Sequence, residues 1–110
     1  MEAVLRAVAD ESRRTLLEAL STGPASAGEL AALLPIARPG VSRHLRVLRE
    51  AGLVEVHQEA QRRVYGLRPE GLAEVDEWLE QFRRFWNTHV DALERHLDRM
   101  DHAPKKGKNR

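Results

Sequence analysis

The spacing of apolar residues changes at Gly52, and this change restricts the folds that the chain can adopt. Before it, apolar residues recur every three or four positions in several short segments, the spacing of amphipathic helices. After it, residues 53–57 and 64–67 alternate between apolar and polar, as in two short strands, which a polar four-residue turn over residues 59–62 should join. From about residue 70 to residue 100 the helical spacing returns. The predicted fold is therefore mainly α with a small β-hairpin, in the order α-α-α-α-β-β-α.

Local signals set the limits of these helices. Asp10 and Ser12 both offer an N-cap for the second helix. Residues 26–29 read Ser-Ala-Gly-Glu, a capping box in which the hydroxyl and the carboxylate each accept the other residue's free backbone N–H. A short third helix should follow, with Leu30, Leu33 and Leu34 facing inward, and Pro35 ends it. Pro39 suits the first turn of a fourth helix, which Gly52 ends, so two helices with a tight connection precede the hairpin.

The charges segregate along the chain although they sum to only +1. Residues 38–68 have a net charge of +4, whereas residues 1–37 and 69–103 have net charges of −2 and −5. Residues 104–110 add four further positive charges. A basic middle between acidic flanks indicates one surface for a polyanion and a different use for the flanks.

Length and composition narrow the class of protein. The 110 residues favour one domain, predicted over residues 1–102, followed by a polar basic tail over residues 103–110 that we expect to be disordered. The sequence contains no cysteine, which excludes disulfides and thiolate metal sites. No apolar run approaches the ~18 residues of a membrane span, and the N-terminus lacks a signal-peptide core. We therefore expect a cytoplasmic protein with no membrane partner.

The basic residues of the middle segment concentrate on one helix and the hairpin. If Val41, Leu45 and Leu48 face the core, the arginines between them lie on the exposed side. A helix fits the major groove of DNA, and arginine pairs with guanine as well as with phosphate. A solvated face would explain the arginines alone, but the order helix, turn, helix, hairpin is that of a winged helix-turn-helix. The candidate DNA-binding residues, two of them at the hairpin turn, are Arg38, Gly40, Ser42, Arg43, Arg46, Arg49, Arg62 and Arg63.

Several runs of residues resemble the ArsR family of bacterial winged-helix repressors. The most specific is Val-Ser-x-His-Leu-x-x-Leu at residues 41–48, followed by Ala-Gly-Leu-Val at residues 51–54. The resemblance implies a homodimer that pairs through its first and last helices, binds double-stranded operator DNA and releases it when an effector binds. It also implies a recognition helix at residues 39–51 and a wing at residues 53–68.

The last predicted helix has a wide apolar face. Four of the five aromatic residues lie within residues 78–86. At 100° per residue, they and the aliphatic residues from 72 to 100 fall within one arc of about 140°. Such an arc can cover the protomer's own core and still leave apolar surface for a partner. With the resemblance, it predicts a homodimer interface formed by Val4, Leu5, Val8, Trp78, Phe82, Phe85, Trp86, His89, Leu93 and Leu97.

Two other uses of the last helix stay open. Its aromatic residues also suit a pocket for an apolar small-molecule effector. The alternative function is a winged-helix protein–protein interaction module that binds a partner through this helix, with DNA contact secondary or lost. Because phosphate contacts weaken steeply as salt rises, the salt dependence of DNA binding separates the module from a DNA-binding regulator.

The histidines do not indicate catalysis or a metal site. His44 follows Val41 by three positions and precedes Leu48 by four, so it lies at the edge of the buried stripe and should have a hydrogen-bonded structural role. His89 and His96 are two turns, ~10.5 Å, apart along the helix, too far to share one ion except across a dimer. We expect neither a metal nor another cofactor. Without a Gly-rich phosphate loop, a carboxylate pair or a metal motif, we expect no enzyme activity.

Overall fold

The computed structural model describes residues 1–101, and its elements follow the predicted order with two additions. In chain order they are α1 (Glu2–Val8), α2 (Glu11–Leu20), β1 (Ala25–Ser26), α3 (Ala27–Ala31), α4 (Arg38–Glu50), β2 (Val54–Glu59), β3 (Arg62–Leu67), a 3-10 turn (Pro69–Leu72) and α5 (Ala73–Asp101). The chain divides into two compact units, Met1–Val75 and the segment from Asp76 onward. Within residues 1–101, no helix combines the length and hydropathy of a membrane span. The predicted tail at 103–110 lies outside the described residues.

The predicted N-caps of α2 and α3 are present, whereas α4 has no side-chain cap. Asp10 Oδ1 accepts a hydrogen bond from the backbone N–H of Arg13 (3.0 Å), which holds the pKa of the Asp10 carboxyl below its ordinary value of 3.8. In the capping box, Ser26 Oγ accepts from the N–H of Glu29 (3.1 Å), and Glu29 Oε1 accepts from the N–H of Ser26 (2.8 Å). By contrast, Ala37 caps α4 without any side-chain hydrogen bond.

The hydrophobic core lies in the first unit and matches the helical spacing closely. Val41, Leu45 and Leu48 of α4 are buried, as their spacing predicted. They pack in one cluster with Val4, Ala7, Leu16, Leu20, Leu30, Leu34, Leu53, Val54 and Tyr65. The prediction that Leu33 also faces inward is wrong, because α3 ends at Ala31 and leaves the Leu33 side chain 49% exposed.

The hairpin turn is tighter than the sequence predicted. β2 and β3 pair as far as Glu59 opposite Arg62, which leaves only Ala60 and Gln61 in the turn. Ala60 has a φ of 54°, the left-handed conformation that two-residue hairpin turns require. The predicted four-residue turn is therefore wrong, and Arg62 and Arg63 belong to β3, where the direction of each side chain is set by the alternation of the strand.

The strand β1 was not predicted. It contains only Ala25 and Ser26, which pair antiparallel with Tyr65 and Val64 of β3. The sheet therefore has three strands in the order β1-β3-β2, with β3 in the centre. Two residues are too few for an alternating pattern, so the pairing depends on a partner about 40 positions away that local spacing cannot show.

The chain enters α5 through a 3-10 turn, where a continuous α-helix from about residue 70 was predicted. Gly71 approaches the backbone carbonyl of Gly52 so closely that a Cβ at Gly71 would overlap it. Nearby, the N–H of Arg68 donates to the carbonyl of Leu53 (2.8 Å). These contacts hold the turn against the end of α4 and explain why a residue without a side chain is needed there.

Candidate nucleic-acid interface

The exposed side of α4 carries most of the predicted DNA-binding residues. Because Val41, Leu45 and Leu48 are buried, the residues between them point away from the core. The exposed predicted residues on this helix are Arg38, Ser42, Arg43, Arg46 and Arg49. This side of α4 is therefore accessible to a ligand that approaches from solvent.

An open groove of about 420 Å³ lies between α4 and β3. Its β3 wall includes Arg63 and Tyr65, which share one face of the strand because side chains alternate along it. The full lining is Pro39, Ser42, Arg43, Leu45, Arg46, Arg49, Arg63 and Tyr65. Five predicted DNA-binding residues, four of them arginines, thus come together in one concave surface, which we call the arginine groove.

The arginines of this groove have no neutralising partner in the part of the chain that the structure describes. Within residues 1–101, no carboxylate forms an ion pair with Arg43, Arg46, Arg49 or Arg63. The guanidinium group stays charged at any physiological pH and presents paired donors that match phosphate oxygens and the major-groove edge of guanine. The groove is therefore a positively charged surface with the donor geometry of DNA recognition.

Arg62 lies on the other side of β3 from the arginine groove. Its Nη2 is 3.7 Å from Oε1 of Glu29 on α3, in an exposed ion pair. The hydrogen bond from the N–H of Ser26, with a smaller contribution from Arg62, holds the pKa of the Glu29 carboxyl below its ordinary value of 4.5. Arg62 is therefore partly neutralised inside its own chain.

Two further predicted residues, Arg38 and Gly40, lie next to the groove rather than in it. The guanidinium of Arg38 turns back over Gly28, with Nη2 3.6 Å from the place that a Cβ on Gly28 would take. Gly40 lies under Ile36, whose Cδ1 would be 3.2 Å from an added Cβ. The tight packing against Ile36 gives Gly40 a role inside the fold, at the start of α4.

Two residues that the structure connects to this region, Tyr65 and Arg13, were not predicted from the sequence. Tyr65 lines the groove, and its position two residues after Arg63 on a strand could have predicted this. The hydrogen bond predicted for His44 is present, and its partner is Arg13 of α2, with 3.1 Å between Nη1 and Nδ1. No local pattern could have identified this partner, because it is 31 positions away.

A second surface of the opposite kind lies on α5, and we call it the aromatic face. Phe85 and Trp86 are 74% and 67% exposed. The other large exposed hydrophobic residues of α5 are Trp78, Leu79, Phe82, Leu93, Leu97 and Met100. Trp78 contacts Phe82 edge to face with 4.9 Å between ring centroids, and Phe85 stacks on His89 at 6.0 Å. A shallow cavity of about 390 Å³ lies among Leu79, Phe82, Arg83, Phe85 and Trp86.

The residues of α1 predicted for a dimer interface differ in exposure. Val4 is only 7% exposed and belongs to the core of its own chain, which leaves its side chain little surface for a partner. Leu5 and Val8 are half-buried and keep some surface. Within residues 1–101, no group of three or more His, Asp or Glu side chains is arranged to hold a metal ion.

Comparison with known proteins identifies the family. A helix-turn-helix domain family matches residues 8–57. The chain is 43% identical to the HTH-type transcriptional regulator Rv2034 of Mycobacterium tuberculosis over 93 residues, which make up 84% of each chain. The crystal structure of the ArsR family transcriptional regulator RHA00566 superposes with a TM-score of 0.71 at 30% identity, covering 78% of this chain and 94% of that chain. The chain belongs to the ArsR family.

Two more relatives agree with this assignment. The transcriptional repressor SdpR of Bacillus subtilis is 32% identical over 82 residues, 74% of this ArsR-family chain and 91% of the repressor. The crystal structure of a possible transcriptional regulator for arsenical resistance superposes with a TM-score of 0.64 at 38% identity, covering 84% and 93% of the two chains. This ArsR-family protein is thus a winged helix-turn-helix transcriptional regulator and not an enzyme, as the sequence predicted.

Proposed function

We propose that this ArsR-family regulator is a homodimeric repressor that reads operator DNA with the arginine groove. One observation carries the proposal: four arginines from two elements converge in one groove, and within residues 1–101 none forms an ion pair with a carboxylate. Four fixed positive charges repel one another, so a site built this way is stabilised by a polyanion. Operator DNA supplies both the phosphates and the base edges that such donors recognise.

The two walls of the groove suit different parts of the duplex. In our proposal α4 enters the major groove with its N-terminal turns foremost, so Ser42 and Arg43 reach base edges. Arg46 and Arg49 lie one and two turns further along and contact phosphates beside the groove. Arg63, on the wing, contacts the backbone or the adjacent minor groove. Arg62 and Arg38 supply further contacts at the edges of this footprint.

The aromatic face of α5 supports the homodimer. An exposed patch that contains two tryptophans and two phenylalanines is unfavourable in water and favours association. A second copy of the chain presents the same patch, so an isologous contact covers both faces at once. Leu5 and Val8 of α1, which keep some exposed surface, are proposed to contact the partner chain as well. A dimer also places two recognition helices at once, as an operator with two half-sites requires.

The same face is where an effector would act, and its chemistry favours an apolar ligand over a metal. We predict that chelators and low-micromolar zinc, nickel or copper leave the operator affinity unchanged within about twofold. Fluorescence of Trp78 and Trp86 should instead report apolar compounds that enter between two α5 helices. A metal-driven loss of affinity that disappears in His89→Ala or His96→Ala would contradict this prediction and indicate a metal site across the dimer.

Repression is the direction of regulation that we propose. The relatives include proteins named as repressors, SdpR of Bacillus subtilis among them, and one named as an activator, HlyU of Vibrio cholerae. A dimer whose recognition helices occupy the major groove blocks other proteins from the same DNA without any further contact. As a regulator of bacterial transcription, the protein would act in the cytoplasm.

The test is to select DNA fragments with the purified protein and to sequence them. The proposal predicts enrichment of a palindromic site whose half-sites lie ~10–10.5 bp apart, or a multiple of this. Light scattering of the complex should then give two protomers per site. Enrichment of no sequence, together with weak binding that is insensitive to salt, would contradict the proposal and favour the protein–protein interaction module.

A further inference from the structure

Arg13 joins three helices through four hydrogen bonds. Its backbone N–H donates to Asp10 Oδ1 at the start of α2 (3.0 Å). Its side chain turns back to the end of α1, where Nε donates to the carbonyl of Ala7 (2.7 Å) and Nη2 to that of Arg6 (3.2 Å). Its Nη1 donates to Nδ1 of His44 on α4 (3.1 Å). One side chain therefore connects the end of α1 and the start of α2 to the recognition helix.

The hydrogen bond between Arg13 and His44 determines the tautomer of the His44 imidazole. A guanidinium group carries only donors, so Nδ1 of His44 must accept, and the proton of the neutral ring is on Nε2. The carbonyls that Arg13 binds belong to the last turn of α1, where few N–H groups of the helix remain to pair with them. The Arg6 carbonyl also accepts from the N–H of Ala9 (3.3 Å), so it is the Ala7 carbonyl that depends on the side chain of Arg13.

His44 lies on the flank of α4 opposite to the arginine groove. At 100° per residue, it is about 65° to one side of the centre of the buried stripe, whereas Arg49 is about 75° to the other side. The burial of Leu45 and Leu48 holds the helix against the core but is not directional. A hydrogen bond is directional, so the bond from Arg13 to His44 opposes rotation of α4 about its own axis.

We propose that Arg13 and His44 are positioning residues for DNA recognition. Their hydrogen bond sets the rotation of α4 and, through it, the direction in which Ser42 and Arg43, the residues proposed to reach base edges, point at the duplex. The inference rests on the proposed function, in which α4 reads the operator, and in it neither Arg13 nor His44 touches DNA. Loss of the bond should therefore reduce discrimination between sequences, because base contacts tolerate less displacement than phosphate contacts do.

The first test changes the acceptor. The full-length protein is titrated with a selected operator and with random duplex of equal length, and the ratio of the two affinities is measured by fluorescence anisotropy. His44→Leu, which removes the acceptor, should reduce this ratio about fivefold, within the range that one hydrogen bond supports. His44→Asn, which keeps an acceptor near the position of Nδ1, should stay within about twofold of the wild type. The salt dependence should not change in either variant, because no phosphate contact is lost.

The second test uses two neighbouring arginines as a matched pair. Arg14 also binds the end of α1, where its Nη1 donates to the carbonyl of Val8 (2.8 Å), but it makes no bond to His44. Arg13→Gln should lower the affinity ratio, and combining it with His44→Leu should lower it little further, because both changes remove the same bond. Arg14→Gln should leave the ratio unchanged. Circular dichroism confirms that each variant is folded at the assay temperature.

Several outcomes would overturn the inference. They are an unchanged ratio in a folded His44→Leu or Arg13→Gln, fully additive losses in the double variant, or a fall of the salt slope by about one phosphate contact in His44→Leu. The last result would show that His44 itself touches the backbone. If His44→Leu does not fold, Arg13→Gln and His44→Asn decide the question. Failure of the wild type to prefer any sequence would refute the proposed function directly, without reference to a variant.

Discussion

Helix α4 and the last helix α5 are both amphipathic, yet they expose opposite faces to solvent. In α4 the apolar stripe is buried in the core, while Arg43, Arg46 and Arg49 have no ion pair within residues 1–101. In α5 the charged side is satisfied internally at Arg83, which pairs with Asp76 and, at 2.8 Å, with Glu80. Its apolar side is the one left open to solvent.

The difference indicates which kind of partner each helix suits. The carboxylates of Asp76 and Glu80 raise the pKa of the Arg83 guanidinium and neutralise it, so this part of α5 offers little attraction to a polyanion. Within residues 1–101, Arg43, Arg46 and Arg49 of α4 have no such carboxylate partner and therefore attract a polyanion. Conversely, the apolar stripe of α4 is already buried in the core. The aromatic face of α5 gains the same hydrophobic stabilisation only when a partner covers it. The unpartnered face of each helix thus indicates a different ligand.

The largest effect should come from a charge placed in the aromatic face of α5. Trp86→Glu buries a carboxylate in the proposed dimer interface, where an unpaired charge costs about 3 kcal/mol or more, a weakening of the dimer by at least about a hundredfold. Light scattering should show monomers or unfolded chains. Asn87→Glu, outside the apolar arc, is the control and should remain dimeric. If Trp86→Glu folds and dimerises as strongly as the wild type, the aromatic face of α5 is not the dimer interface.

The next effect tests whether the arginine groove carries sequence information. Arg43→Ala should lose both affinity and preference for the operator, by about 1–3 kcal/mol of discrimination. Arg62→Ala should weaken binding to all sequences about equally, and by less, because Arg62 is already near Glu29. Anisotropy titrations with operator and random duplex distinguish the two. Equal losses on both DNAs for Arg43→Ala would contradict the role assigned to the N-terminal turns of α4.

A smaller effect should follow from completing the cap of α4. Ala37 provides no side-chain acceptor, so Ala37→Ser should stabilise the fold by about 1 kcal/mol. Urea unfolding at a fixed protein concentration measures this gain, since concentration shifts the apparent stability of a dimer. Ala37→Val, which adds no acceptor and is as poor an N-cap residue as alanine, is the control. No gain for the serine variant would mean that the start of α4 is already satisfied by groups other than its cap.

The smallest effect depends on pH. The hydrogen bond from the N–H of Arg13 lowers the pKa of Asp10 in the folded protein, so its contribution to stability is present above about pH 4 and is lost as the pH falls. Asp10→Asn keeps the cap without the charge, so the gap in unfolding free energy between wild type and variant should close in acid. Glu29→Gln should behave in the same way, starting near pH 4.5. A difference in unfolding free energy that does not change with pH would contradict the stabilising role of these two carboxylate charges.

Local features of the fold were predictable because a few adjacent residues determine them. The cap at Asp10 and the capping box of Ser26 and Glu29 each need only residues three positions apart. The buried stripe of α4, and hence its exposed arginines, followed from helical spacing alone. The helical part of the arginine groove could therefore be predicted from the sequence.

The rest of the site depends on contacts between distant residues. Which of Arg62 and Arg63 joins the groove depends on the register of the hairpin, and the two-residue turn at Ala60 set that register. The bond between Arg13 and His44 and the pairing of β1 with β3 likewise cross 30 or more positions. Spacing along the chain carries no information about such contacts. Only the assembled fold identifies them.

The salt dependence of operator binding tests the central claim, that the unpaired arginines of α4 and β3 bind the phosphates and bases of DNA. Anisotropy with the selected operator between about 50 and 300 mM salt gives the slope of log affinity against log salt. With at least two or three phosphate contacts from each of two protomers, the slope should be about −4 or steeper. A slope near zero, or no binding at low salt, would contradict the account and leave the aromatic face of α5 as the main binding surface.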